Sequence, residues 1–349
     1  MSPLGYYKRK KRDKPMRART YIYIVGMAAL TLQGCCKKSH PNTPDVERHA
    51  IGMAAQSVTR ALIEDIGDLS EFAVYGYKQG PASQMVFTNQ SVTHNGNAWT
   101  YTPTKYWDRT ATYSFAAYAP IDVTKTHDDE TRTLTLSLPQ WQTVDAATKD
   151  IVVATSQGPA NNYLNLHGGQ VNLDFNHLYA QLEVQVWVAD FIESTYLIKT
   201  LACKDANAPE DKTGDNITQA SYTLDYDATP VAASYTVTAA ADSAILYTDA
   251  TGLQANKKEP SATTTEATFK HMVVPFTSAD PTNGFDLTIG YTISGEAYYT
   301  TVHSTIKEMK AGQRYVLTLT FSSGNMITPD VTLQEWVPVD VEEDDKFNW

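Results

Sequence analysis

Apolar residues along this chain recur at every second position in short runs, and no long segment carries them at helical spacing. The clearest run is TRTLTLSLP, where Leu134, Leu136 and Leu138 fall on one face and Thr133, Thr135 and Ser137 on the other, the pattern of a half-buried strand. Further strands are predicted in EFAVYGYK, QMVFTNQSVTHNGNAWTY, TATYSFAAYAP and DIVVATS. A loop, QGPANNYLNLHGG, follows. The alternation resumes in VNLDFNHLYAQLEVQVWV through Val171, Leu173 and Phe175, then Leu182, Val184 and Val186. In the second half TLACKD, AILYTD, FKHMVVPF, GFDLTIGYTI, AYYTTVHST and RYVLTLTFSS are strand-like. Asn95-Gly96 favours the positive φ angles of a type I′ hairpin around residues 85–101. Two antiparallel β-sandwiches fit this order better than any α/β arrangement, with a boundary at Gly168-Gly169.

Composition supports strands: tyrosine outnumbers phenylalanine 21 to 10 and threonine is abundant. The first 20 residues carry eight Lys or Arg and one acidic residue, Asp13, ahead of the uncharged run YIYIVGMAALTLQG. That is a basic leader and a short apolar segment, too short for a membrane span of roughly 20 apolar residues. Cys35 and Cys36 follow at once. Neighbouring cysteines suit neither a disulfide nor a zinc site, and Leu32-Gln33-Gly34-Cys35 resembles the bacterial lipoprotein signal, which makes Cys35 the lipid anchor. Cys203 stands alone and is expected to be buried as a small apolar residue. Removing residues 1–34 takes the formal net charge from −11 to −18, which argues against nucleic acid as a partner.

No phosphate-binding loop, dinucleotide fingerprint, HExxH or GxSxG occurs, and no metal or other cofactor is implied. His127-Asp128-Asp129-Glu130 reads as a solvated charged loop rather than a cation site. His177 lacks an assignable nucleophile or orienting carboxylate and reads as a packed histidine rather than a base. The aromatics of WTYTPTKYW are a candidate sugar platform, although aromatics in strands more often pack inward.

Four stretches together resemble the fimbrillin family of Bacteroidia, the Mfa-like pilins and fimbria-associated lipoproteins. They are NAWTYTPTKYWDRTATYSFAAYAP, the strand Asp150-Ile151-Val152-Val153-Ala154, VNLDFNHLYAQLEVQV, and AGQRYVLTLTF with NMITPDVTLQEW. The similarity covers residues 35–336 and assigns His177 and the tryptophans a framework role rather than catalysis. It implies an all-β fold of two tandem transthyretin-like antiparallel β-sandwich domains. The corresponding division is a lipoprotein signal peptide at 1–34, a tether and removable N-terminal strand at 35–60, an N-terminal sandwich at 61–168, and a C-terminal sandwich at 169–349.

The resemblance further implies export as a lipoprotein to the outer membrane, held through lipid on Cys35. In polymerising members a trypsin-like protease then removes an N-terminal strand. Thr59-Arg60-Ala61 is the candidate site for that step, with Arg48 the second choice. Other fimbrial subunits, and a host or bacterial surface receptor, are the implied partners. A strand missing from a sandwich leaves unpaired edges that recruit another strand. Val331, Leu333, Val337, Val339 and Val341 share one face of VTLQEWVPVDVEE, interrupted only by Glu335, so residues 331–342 form the candidate donor. Burying five such residues contributes about 8 to 15 kcal/mol gross, before ordering and association costs. The same segment also suits the last strand of its own domain. The competing expectations are a monomeric glycan-binding surface lipoprotein and, third, a glycosidase using paired carboxylates.

Overall fold

A computed structural model of the protein describes residues 48–58, 69–140, 142–144, 150–205, 216–241, 243–259, 265–277, 284–322 and 327–335. In chain order the first strands are β1 Gly52–Val58, β2 Glu71–Gln79, β3 Gln84–His94, β4 Trp99–Thr100, β5 Thr112–Ala119, β6 Lys125–Asp128, β7 Thr133–Pro139, β8 Gln142–Thr143 and β9 Val152–Pro159. Helix α1, Ala160–Leu166, precedes β10 Gln170–His177, β11 Ala180–Ala189, β12 Tyr196–Asp205, β13 Asn216–Asp225, β14 Ala232–Ala241 and β15 Ala244–Gln254. The last are β16 Asn256–Lys258, β17 Thr268–Val273, β18 Phe276–Thr277, β19 Phe285–Ile293, β20 Glu296–His303, β21 Glu308–Met309, β22 Gln313–Phe321 and β23 Ile327–Glu335.

The protein is all-β in character, and alternation explains its layers. A seven-stranded sheet runs β1-β10-β9-β5-β2-β3-β4 and buries both faces at its centre. On β2, Phe72 and Val74 enter one core while Ala73 and Tyr75 enter another; on β5, Phe115 and Ala117 oppose Ala116 and Tyr118 in the same way. Burial on both sides is why TYSFAAYA reads as a nearly continuous apolar run. The second core is closed by a four-stranded sheet, β14-β13-β7-β6. There Leu134, Leu136 and Leu138 of β7 are wholly buried, as their alternation predicts. A second sandwich pairs the sheet β23-β22-β11-β17-β8, with β16 beside β11, against β15-β12-β19-β20. Cys203 is buried in its core.

Several expectations change. The sheets do not divide at Gly168-Gly169: β10, after that pair, lies between β1 and β9, and β8, before it, joins β17 of the second sandwich. Strands β13 and β14, absent from the expected set, form a hairpin inserted between the sheet neighbours β12 and β15. Through β13 they complete the layer begun by β7. A core needs covering on both sides, and the two strands β6 and β7 leave that layer half built. Antiparallel pairing predominates, but β1 with β10, and β11 with β22 and with β16, run parallel because long connections separate them.

Locally, the segment expected as a loop contains α1, which seats Tyr163 in the core. The Asn95-Gly96 hairpin exists, with His94 opposite Trp99, but its loop is longer than a two-residue turn. Gly96 alone of the pair has positive φ, and Asn95 Oδ1 accepts the N–H groups of Asn97 and Ala98.

Candidate functional site

The leading strand lies in a slot with two different walls. On one side β1 pairs in parallel with β10, from Gly52 opposite Gln170 to Val58 opposite Phe175. On the other side the segment just before β1 is gripped by the stretch that follows β4. The Trp107 N–H donates to the His49 carbonyl at 3.0 Å, the Ile51 N–H donates to the Lys105 carbonyl at 2.9 Å, and Ala50 bridges to Tyr106. The Tyr101 hydroxyl donates to the Ile51 carbonyl at 2.6 Å. Burial holds that phenol protonated by raising its pKa, which preserves the donor.

Side chains fix the strand's depth. Ile51 and Met53 are 1 % and 3 % exposed, and they enter the core formed by Phe72, Phe87, Trp107, Val171, Leu173 and Phe175. Ala55 continues that face with less burial. A bulge at Gln56 then shifts the register before Ser57. Two deep anchors of this size contribute about 3 to 6 kcal/mol through burial.

Gly169 joins the two walls. Its carbonyl accepts both the Gly52 N–H at 2.8 Å and the Trp107 indole N–H at 2.9 Å. Its φ of +88° suits glycine, and a Cβ there would lie 3.2 Å from the Ala50 carbonyl oxygen. The dipeptide expected to separate domains is therefore a turn that shapes the slot. Gly52 allows equally close approach, since a Cβ would meet the Gln170 side chain at 2.9 Å.

This arrangement gives the aromatic motif a different role from a sugar platform. Trp99 packs on Phe72 at 4.9 Å between ring centroids, Tyr101 packs on Phe87 at 5.2 Å, and Trp107 stacks on Tyr163 at 4.8 Å. Only Tyr106 of these aromatics is substantially exposed, at 49 %. The motif holds the leading strand, a function visible in no local pattern because its target lies about fifty residues earlier.

The two histidines of interest are both packed. His177 Nδ1 hydrogen-bonds the Asp150 carboxylate, and both side chains are fully buried. The pair ties the start of β9 to the end of β10, beside the backbone bond from Leu178 N–H to the Ile151 carbonyl. Asp150 is thus the orienting carboxylate that the local sequence does not reveal, and the pair is buried in the framework. His127 departs from the solvated loop expected of it: its ring stacks on Tyr75 at 3.9 Å, and its Nε2 and Nδ1 lie 2.9 Å from the Tyr226 hydroxyl and the Asp129 carboxylate. Burial pushes its pKa down against the opposing pull of Asp129. Among the described residues no cluster of three or more His, Cys, Asp or Glu side chains could hold a metal.

Of the expected site residues, Cys35, Arg60, Ala61, Val337, Val339 and Val341 lie outside the described residues. Arg48 is exposed next to the gripped segment. Val331 and Leu333 sit on β23, opposite Leu317 and Tyr315 of β22, at the edge of the second sandwich.

Sequence comparison with the fimbrillin-like family matches residues 59–336. No curated protein matches the chain. Among solved structures, a fimbrial protein from Bacteroides vulgatus superposes with a TM-score of 0.56 at 15% identity, covering 83% of this chain and 100% of that one. A cell-adhesion candidate from Bacteroides uniformis gives 0.51 at 16% identity, covering 84% of this chain and 100% of that one. At these identities the likeness concerns the fold; the match over most of the length identifies the family. The chain is a member of the fimbrillin-like family.

Proposed function

We propose that the protein is a structural or accessory subunit of a bacterial surface fimbria, exported as a lipoprotein on Cys35 and joined to other subunits by exchange of a β-strand. Adhesion through the assembled fibre is its task, rather than catalysis. The observation that carries this reading is the leading strand itself. It lies at the edge of its sheet, anchored deeply by Ile51 and Met53, and Arg60 follows two residues after its end.

Cleavage after Arg60 would detach β1 together with the lipid. Val171, Leu173 and Phe175, each wholly buried, would then lose their cover, and β10 would lose its partner along residues 170–175. An apolar groove flanked by unpaired N–H and C=O groups accepts an extended alternating strand from a neighbour. The candidate is residues 331–342, which begin on the edge strand β23. Cleavage after Arg48 would instead leave β1 in place and only release the anchor. The test is trypsin treatment of the purified protein, followed by terminal sequencing, native gel and electron microscopy. Nicking at Arg60 with a ladder of oligomers is expected; nicking there without any ladder contradicts assembly by exchange.

A further inference from the structure

We infer that β14 is a second assembly edge, at which two copies of this chain pair antiparallel about a two-fold axis and fuse their four-stranded sheets into one of eight strands. Among the described residues β14 pairs with β13 alone, and every residue from Ala232 to Ala240 is exposed. Exposed edges are commonly guarded by lysine, proline or inward-pointing charge. Residues 228–241, ATPVAASYTVTAAA, contain no charged residue, and the proline precedes the strand. In a chain whose exported part carries a formal charge of −18, this neutral edge is where a second acidic copy can approach with least repulsion.

The ladder has a preferred register. Tyr235, Ala233 and Val237 lie opposite Tyr222, Leu224 and Ala220 of β13 on the inward face, while Ser234 and Thr236 lie opposite Thr223 and Ser221 on the outward face. A bulge at Thr238 ends the regular stretch. The longest bulge-free self-pairing is therefore centred on Ser234. It sets Ser234 against its own copy, Ala232 against Thr236, Ala233 against Tyr235, and Val231 against Val237. Opposed residues share a face, small side chains meet larger ones, and Val231 with Val237 forms a β-branched pair.

An unfilled space lies beside the edge. A cavity of about 360 Å³ opens between the sheets of the first sandwich, bordered by Val231, Ala233 and Tyr235 on one side and by Val153 and Leu178 on the other. The Tyr235 hydroxyl donates to the Leu178 carbonyl at 2.9 Å and holds that side of the seam. Apolar side chains of the second copy would extend this lining. The short ladder is small against the roughly 1,000 Å² of a stable interface, so the dimer is reversible and concentration-dependent. Screening of the acidic surfaces makes it stronger as salt rises.

The test uses the full chain in detergent, with the wild type as reference for Cys35 and Cys36. Opposed Cα atoms in an antiparallel pair are about 4.5 to 5.5 Å apart, within disulfide range. Ser234→Cys is expected to form an intermolecular disulfide on mild oxidation, whereas Thr248→Cys, exposed on β15, is not. Sedimentation from micromolar to several hundred micromolar should show a monomer–dimer equilibrium. Ser234→Lys, which opposes two ammonium groups at the axis, should weaken it by about tenfold or more at unchanged thermal stability. The proposal is overturned by a monomer throughout that range, by a dimer that Ser234→Lys leaves intact, or by a Ser234→Cys cross-link made only to a different protein. Because trypsin is not involved, failure here leaves strand exchange at the β1 slot standing.

Discussion

Replacing Ile51 with alanine tests whether the leading strand is held as a locally separable element. Ile51 is 1 % exposed in the core beneath the strand, and truncating a buried isoleucine to alanine costs about 2 to 5 kcal/mol. The backbone bond from the Tyr101 hydroxyl to the residue 51 carbonyl survives the change, as does the bond from its N–H to Lys105. The loss therefore falls on packing, leaving Met53 as the remaining deep anchor. Local opening frees β1 without melting the second sandwich, whose core shares no residue with this one. Hydrogen exchange followed by mass spectrometry should show amides of 52–58 and 170–175 losing protection by about 30-fold to several thousand-fold. Amides of β22, 313–321, should be unchanged. Equal loss in both regions would mean that the strand opens only with the whole molecule, and no loss in β1 would mean that Ile51 does not anchor it.

Other outcomes follow from the same contacts. Tyr101→Phe removes two hydrogen bonds, the one its hydroxyl donates to the Ile51 carbonyl and the one it accepts from the Lys105 N–H, so exchange in β1 should quicken by the equivalent of about 1 to 3 kcal/mol. Asp150→Ala removes the fully buried acceptor that faces His177 Nδ1 and should cost about 1 to 3 kcal/mol in denaturant unfolding, with wild-type stability refuting a framework role. The lowered pKa of His127 means that the unfolded chain binds its proton first as pH falls. Its contribution is complete above the unfolded pKa near 6.5 and declines as pH drops through that value toward the folded one. His127→Phe should therefore flatten the fall in melting temperature between pH 7 and 5, and an unchanged slope would contradict the assignment.

Alternation made much of the fold legible. Leu134, Leu136 and Leu138, or Val171, Leu173 and Phe175, announce a buried face because neighbouring residues alone determine which side of a strand is apolar. Pairing between distant strands leaves no such local mark. Nothing in NITQASYTLD indicates that it belongs beside β7, although Ala220, Tyr222 and Leu224 alternate with Ser221 and Thr223 as the leucines of β7 do with their neighbours. The aromatic motif was visible, but its hold on His49–Gly52 depends on Gly169 presenting one carbonyl to two donors. His127 looked solvated among three acidic neighbours because stacking on Tyr75 is a tertiary event.

Photocrosslinking from the slot tests strand replacement most directly. Asn172, half-buried and opposite Ala54, would carry a benzophenone side chain, and the cross-linked segment would be mapped by mass spectrometry before and after trypsin. Before cleavage the adduct should form with residues 52–56 of the same chain; after cleavage it should form with residues 331–342 of another copy. An adduct that stays on the original strand, or that joins no second subunit once the strand has gone, would contradict the account.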